Sequence, residues 1–250
     1  QPDNAALVVS GKFDAARVLR WVQESFGRIP KPKRTLPRLY TLDPVQDGER
    51  ALTVRRVGGT PLLYAAYHMP PAAHPDHAAA ELLALAMGEA PSGRLHRRLV
   101  EKQLAASVGA YAFGLRDPGL VLYVAELAPG QDVPAASAAL VDTLESVARE
   151  PLGADEVERA RTRWLKQWEQ TFADPERIGV SLSESIAQGD WRLFFLLRDR
   201  VKAVSVAEVQ RVAAERLLPA NRTLATYLPT DAPQRAPAPV AVDVAAQFKD

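Results

Sequence analysis

Residues 51–88 read ALTVRRVGGTPLLYAAYHMPPAAHPDHAAAELLALAMG, which contains two strand patterns followed by a helix pattern. Strands are predicted over Ala51–Val57 and Leu62–Tyr67 because both runs are short, apolar and bounded by glycine or proline. Gly58-Gly59 tolerates the positive φ that a tight turn requires, so the two strands are predicted to form a β-hairpin. The alanine- and leucine-rich run Ala78–Met87 then predicts a helix.

The rest of the chain supplies the other elements of the fold. Two more strands are predicted, Ala106–Phe113 and Leu120–Leu127, turned by Arg116-Asp117-Pro118-Gly119. A second helix is expected from about Arg94 to Lys102, further helices from Pro134 to Leu218, and a last strand over Thr223–Leu228. Strands at the start and end of a helix-rich body predict an α+β fold, with helices packed on one face of a mostly antiparallel sheet.

The first thirty residues carry one strand pattern and one helix pattern. Leu7-Val8-Val9 is a short apolar run that predicts a strand. Asp14 is placed to cap a helix that Gly27 ends. The apolar positions of this helix follow a spacing of three to four residues: Val18, Trp21, Val22 and Phe26. A lone strand and helix cannot bury their own faces, so this unit is expected to pack on something else.

The pattern Pro-x-Asn-x-x-Leu occurs twice, at residues 2–7 and 219–224. The two asparagines are 217 residues apart, about the length of one domain plus a linker. The sequence therefore predicts four segments. Residues 1–30 are the last strand and helix of a preceding domain, 31–50 a proline-rich linker, 51–230 the next domain, and 231–250 a linker or tail. Because the chain begins with Gln1, we expect it to be an excised piece of a longer polypeptide.

Composition excludes several classes of protein. No stretch approaches ~18 consecutive apolar residues, which a membrane-spanning helix requires. The absence of cysteine excludes disulfides, thiolate metal sites and a cysteine nucleophile. The formal charge of +1 provides no global field to attract nucleic acid. Two basic clusters are therefore interpreted as solvated linker and helix surface: Arg28, Lys31, Lys33, Arg34 and Arg38, and Arg94, Arg97 and Arg98.

Few residues are candidates for chemistry. His74-Pro75-Asp76-His77 has two histidines that could begin a metal site, but a loop with Asp76 as a helix cap is the favoured interpretation. His68 and His96 are interpreted as surface residues. The stripe Trp164, Trp168 and Phe172 could form a ligand platform, although its helical spacing is more typical of a core. No serine-nucleophile, phosphate-loop or dinucleotide motif occurs.

Several segments together resemble the insulinase/pitrilysin family of zinc metallopeptidases, in the bacterial branch similar to mitochondrial processing peptidase. The segments that carry the resemblance are Asn4–Asp14 with Phe26-Gly27, Pro91–Leu95, Leu99–Val108, Gly189–Arg192 and Leu217–Leu224. The resemblance covers roughly residues 1–230. It implies tandem α+β domains of about two hundred residues, which agrees with the internal repeat.

The catalytic motif of that family is His-x-x-Glu-His on a helix, in which two imidazoles hold zinc and the glutamate activates water. The motif is absent from this chain, and the corresponding positions are Leu82, Leu85 and Ala86, whose side chains offer zinc no lone pair. The family's partner domain often supplies an Arg and a Tyr for substrate binding. The comparable segment, Val100 to Ala106, has valine and alanine at its ends. We therefore predict no catalytic residue and no metal ligand in this chain, and its substrate-binding residues stay undetermined.

The resemblance implies a non-catalytic domain of a zinc metalloendopeptidase that packs against the active domain and forms part of a peptide-enclosing chamber. It implies zinc in the catalytic domain only, peptide as substrate, and a periplasmic or envelope location. This chain alone is predicted to be inactive. Two alternatives remain open: a scaffold or partner subunit of an inactive insulinase-like protein, and a peptide-binding module that uses an exposed sheet edge.

Overall fold

A computed structural model describes residues 2–37, 44–241 and 243. Within them lie the strands β1 (Arg50–Arg56), β2 (Leu62–Met69), β3 (Ser107–Phe113), β4 (Gly119–Glu126) and β5 (Arg222–Pro229). The strands form one sheet in the order β1-β5-β2-β4-β3. All neighbours are antiparallel except β1 and β5, which are parallel. The predicted α+β fold with a mostly antiparallel sheet is confirmed.

The helices follow the predicted order. They are α1 (Ala15–Phe26), α2 (His77–Gly88), α3 (Val133–Glu145), α4 (Ala154–Ala173), α5 (Pro175–Ala187), α6 (Leu193–Ala203) and α7 (Val206–Arg216). Helix α7 begins with a capping box in which Ser205 and Glu208 satisfy each other's backbone N–H groups. The helix predicted from Arg94 is a shorter turn, with a π-helix over His96–Val100.

The predicted hairpin between the first two strands is wrong, because β5 lies between β1 and β2. Tyr227 of β5 is opposite Val54 on one side and Leu62 on the other. Gly58 and Gly59 do have positive φ values, 83° and 77°. However, the chain there crosses over the end of β5, and the Tyr227 hydroxyl donates a hydrogen bond to the Gly58 carbonyl at 2.6 Å. The connection thus spans two strand spacings, about 10 Å, rather than one.

The helices cover one face of the sheet. Along β2, Leu63, Ala65 and Tyr67 are fully buried, while the residues between them are only half-buried. Residues of β4 alternate in the same way. The buried strand residues join side chains of α2, α3, α4, α6 and α7 in a hydrophobic core. Helix α2 lies within this core, since ten of its 12 residues are buried.

The N-terminal segment forms the predicted helix but not the predicted strand. Asp14 caps α1 by accepting a hydrogen bond from the Arg17 backbone N–H at 3.1 Å. Residues 5–10 have no strand structure, although Pro2–Asn4 and Pro219–Asn221 both form a 3-10 helix. A strand needs a neighbouring strand to satisfy its backbone groups, and residues 5–10 have none among the residues that the structure describes. Parts of the predicted linker and tail, residues 38–43, 242 and 244–250, lie outside the described residues.

The interpretation of Arg94 as a solvated surface residue is wrong, because Arg94 forms a largely buried ion pair. Its side chain is 12% exposed and that of its partner, Glu156 of α4, is 10% exposed. The guanidinium donates to both oxygens of the Glu156 carboxylate, at 3.0 and 2.7 Å. Arg97 donates to the same carboxylate at 2.5 Å, and so does the backbone N–H of Gly153 at 2.9 Å. These hydrogen bonds hold the first turn of α4 against the segment that contains Arg94 and Arg97.

The pKa of Glu156 is held far below its ordinary value. Burial by itself would raise this pKa, but hydrogen bonds from Arg94, Gly153 and Arg97 outweigh burial and lower it from 4.5 to about 2. A carboxylate with a depressed pKa stabilises the fold fully above its unfolded pKa. That stabilisation is lost as the pH falls from about 4.5 towards about 2.

We expect Glu156→Gln to lower the free energy of unfolding by about 3 kcal/mol at pH 7, because Arg94 is left with no ionised partner. Since the wild type itself loses this contribution in acid, the difference in the free energy of unfolding between the two proteins should shrink as the pH approaches about 2. Urea unfolding at several pH values measures it. Glu169→Gln, at an exposed position of the same helix where the side chain makes no hydrogen bond or ion pair with a described residue, is the control and should change stability by less than about 0.5 kcal/mol. A difference between wild type and Glu156→Gln that does not vary with pH would contradict the assignment.

Candidate interaction surface

The histidine cluster predicted from the sequence is engaged in separate contacts. His74 Nδ1 accepts a hydrogen bond from the Asp76 backbone N–H at 3.1 Å. The Asp76 side chain makes no cap bond, contrary to prediction, because Arg211 of α7 donates to it at 2.5 Å. That hydrogen bond lowers the pKa of Asp76. His77 is buried and contacts Glu81. Across the part of the chain that is described, no three His, Asp or Glu side chains are grouped so as to hold a metal ion.

The positions that correspond to the zinc motif are occupied by packing residues. Leu82 is fully buried and Ala86 is 6% exposed. Both belong to the core cluster that also contains Val157 and Ala160 of α4. Leu85 is half-buried beside a cavity. Around Leu82 and Ala86, the space between α2 and α4 is thus filled by aliphatic side chains, which cannot coordinate a cation.

The predicted aromatic stripe on α4 is only partly core. Trp164 packs against the core, but Phe172 is 48% exposed, so the core interpretation is wrong for Phe172. The Trp168 ring stacks on Phe172 at 5.0 Å and on Phe194 of α6 at 5.1 Å. These rings form a peripheral aromatic cluster that joins α4 to α6.

The face of the sheet opposite the helices is mostly apolar, with polar residues near the strand ends: Arg50, Arg56, His68, Ser107, Glu126 and Thr223. Because successive strand residues point to opposite faces, the residues between the buried positions share this second face. We call it the open face, and its apolar members are Leu52, Val54, Leu62, Tyr64, Ala66, Tyr111, Phe113, Leu120, Leu122, Val124, Ala225 and Tyr227. None of them belongs to the buried core. An antiparallel sheet that faces water on one side usually has polar residues there, so the open face has the composition of an interaction surface.

The open face ends at a strand edge. Among the described residues, β3 is the last strand of the sheet and pairs only with β4. Tyr111 and Phe113 lie on the open face beside this edge, 57% and 45% exposed, with their ring centres 6.4 Å apart. An edge of this kind can accept an additional strand.

The open face was not predicted from the sequence, although a signal was present. In Leu62–Tyr67 and Leu120–Ala125 both alternating sets of positions are apolar. Such continuous runs indicate strands with apolar surroundings on both faces. The apolar runs located the strands but did not show that the helices leave the second set uncovered.

Comparison with known families fits this geometry. The sequence profile described as the peptidase M16 inactive domain matches residues 1–163. The chain belongs to this M16 inactive-domain family. The resemblance predicted from the sequence segments is therefore confirmed, and aliphatic residues at the ligand positions of α2 agree with an inactive domain.

Individual relatives support the same assignment. The crystal structure of the inactive peptidase domain of a candidate zinc protease from Bordetella parapertussis is 49% identical, with a TM-score of 0.67, and covers 74% of this chain and 99% of that chain. The zinc protease PqqE of Helicobacter pylori is 23% identical over 219 residues, which cover 86% of this chain. The chain spans about half of that relative, 49% of its length. The periplasmic protease PqqL from Escherichia coli, 12% identical over 88% of this chain and 26% of its own, shares the fold with a TM-score of 0.67.

Two neighbouring positions of β4 test which face of the sheet is buried. Val121 is fully buried and faces the helices, whereas Leu122 lies on the open face. We expect Val121→Gln to cost about 3 kcal/mol, because it buries an amide without partners. Leu122→Gln should cost less than about 1 kcal/mol. Urea unfolding of both variants measures the difference, and equal losses of stability would contradict the assignment of the two faces.

Proposed function

We propose that this M16 inactive domain supports the catalytic domain of a zinc metalloendopeptidase and forms part of a chamber that encloses peptide. The open face is the observation that carries the proposal. It presents a continuous apolar surface across all five strands, and apolar surfaces of this extent usually contact another molecule.

The interior of α2 supports a non-catalytic role. A working site needs imidazole and carboxylate groups that reach a metal ion and a water molecule. At Leu82 and Ala86 such groups would have to be inserted into a packed core. This domain therefore contributes surface rather than reacting groups.

The N-terminal segment supports a tandem arrangement of two domains. The 3-10 helix at Pro219–Asn221 leads directly into β5, which lies inside the sheet. The matching 3-10 helix at Pro2–Asn4 leads into residues 5–10, where Leu7 and Val9 are 61% and 45% exposed. If the first copy is arranged like the second, residues 5–10 would follow their 3-10 helix as an inner strand of a preceding sheet. We therefore retain the proposed segments 1–30, 31–50, 51–230 and 231–250.

The remaining features of the proposal follow from the family. Zinc would be held by the catalytic domain, and the substrate would be a peptide. The location would be the periplasm or cell envelope, as it is for PqqL. The described residues contain no helix that is long and apolar enough to cross a membrane.

This chain by itself should neither retain zinc nor hydrolyse peptides. Metal analysis after incubation with zinc and dialysis, together with a peptide cleavage assay, measures both properties. One tightly bound zinc per chain would overturn the non-catalytic assignment. His74→Ala and His77→Ala would then show whether the helix-entrance loop holds the metal.

In the complete protease, Leu122→Glu should raise the KM for apolar peptides about tenfold, because a carboxylate on the chamber wall disfavours apolar contact. The kcat should change less than about twofold, since the reacting groups are elsewhere. Thr162→Glu, which adds the same charge to an exposed position of α4, is the matched control and should change neither constant. Equal effects of the two variants on KM would refute the proposal that the open face forms part of the chamber wall. A complete protein without zinc or hydrolysis would instead support the scaffold alternative.

A further inference from the structure

A cavity of about 340 Å³ lies among α2, α4, α5, α6 and the end of β3, on the helix side of the sheet. Its walls include Leu85, Trp164, Trp168 and Phe194. The volume is within the range of small-ligand sites, and the walls combine aromatic and aliphatic side chains with polar ones, among them Gln167, Thr171 and Gln188. The cavity is separate from the open face, so its role does not depend on the proposed chamber.

The first charged group of the cavity is Glu81. This residue and Leu85 are the two positions of α2 that the core does not bury. One Glu81 oxygen lies 3.3 Å from His77 Nε2, and the other accepts a hydrogen bond from Trp164 Nε1 at 3.4 Å. Both contacts are long, which leaves the carboxylate able to accept stronger bonds. The Glu81 side chain is 22% exposed and can therefore be reached from the cavity.

A second carboxylate, Glu184 of α5, also lines the cavity. Within the described part of the chain its side chain makes no hydrogen bond or ion pair. The lining contains no lysine or arginine. The nearby Arg198 lies outside the lining, where it is paired with Asp199 at 2.7 Å and stacked over Trp168. The two carboxylates thus have no lysine or arginine partner within the cavity.

The lining of the cavity also includes His77, beside Glu81. His77 has a side chain only 4% exposed, and its Nδ1 has no hydrogen-bond partner among the described residues. When Nε2 carries the proton donated to Glu81, Nδ1 is an acceptor without a donor. The amide of Gln188 already donates to the Gly114 carbonyl at 2.9 Å. A ligand that supplies a positive charge and N–H donors fits the two carboxylates of the lining.

We propose that this cavity binds an organic cation through an aliphatic ammonium or guanidinium group, which pairs with Glu81 and Glu184. The aromatic walls receive the methylene groups of the ligand. Such a group is carried either by a free small amine or by a lysine or arginine side chain of a peptide. No lysine or arginine of the cavity lining competes for the two carboxylates.

The test uses n-pentylammonium as the free amine, a capped Gly-Lys-Gly peptide as the side-chain source, and 1-pentanol as the neutral isostere. Calorimetric titration of the 250-residue chain should give saturable binding of a cationic probe with a Kd of about 1 mM or tighter. Pentanol should bind at least about tenfold more weakly. Binding of the peptide identifies a side-chain ligand, and binding of the free amine alone identifies a small amine; either result supports the cation site.

Matched variants test whether Glu81 and Glu184 are the carboxylates that bind the cation. Glu184→Gln, at an exposed position, should weaken binding of the cation about tenfold without unfolding the protein, and Glu81→Gln should weaken it at least as much. Glu169→Gln, on an exposed part of α4 outside the lining, should bind like the wild type. Circular dichroism checks that each variant is folded. The proposal is overturned if the cationic probes do not bind, if pentanol binds equally well, or if both cavity variants bind like the wild type.

Discussion

The burial of α2 is the constraint on which the rest of this domain depends. The helix contacts β3, β4, α4, α6 and α7, so almost every side chain on it must be small or aliphatic. The fit is close at its last residue, where a Cβ added to Gly88 would lie 2.3 Å from the Ala110 Cβ. An unpaired polar group in this position costs several kcal/mol. Packing and loss of catalytic chemistry are therefore two consequences of the same aliphatic sequence.

The sequence predicted the positions of the strands better than it predicted which strands pair with each other. Short apolar runs bounded by turn residues located β2 to β5 within one or two residues, because both signals are local properties of the sequence. The hairpin of β3 and β4 was also predictable, since the short segment Arg116–Gly119 holds the residues that turn the chain. The β1–β2 hairpin failed because β5, more than 150 residues further along the chain, provides better partners for both strands. Pairing of this kind depends on the whole sheet, and a pair of glycines does not encode it.

Charged residues show a similar division between local and distant information. The sequence identified Arg94 and Asp76 as charged but assigned them to solvated surface and to a helix cap. Their partners, Glu156 and Arg211, are 62 and 135 residues away, and only the packing of α4 and α7 on α2 brings them together. The cavity was missed for the same reason. In the sequence, Glu81 suggests an exposed helical position. In the structure, residues of α5 and α6 surround it, so that it lines a cavity.

The two Pro-x-Asn segments separate what a short sequence specifies from what its surroundings specify. Both copies form the same 3-10 helix, so this turn is encoded locally. Only the second copy continues into a strand, because β5 is hydrogen-bonded between β1 and β2. Residues 5–10 have similar apolar character but no adjacent strand among the described residues. If they belong to a preceding domain, as we propose, a second sheet would pair their backbone groups and cover their apolar side chains, and this pairing would bind the two domains more specifically than apolar contact alone.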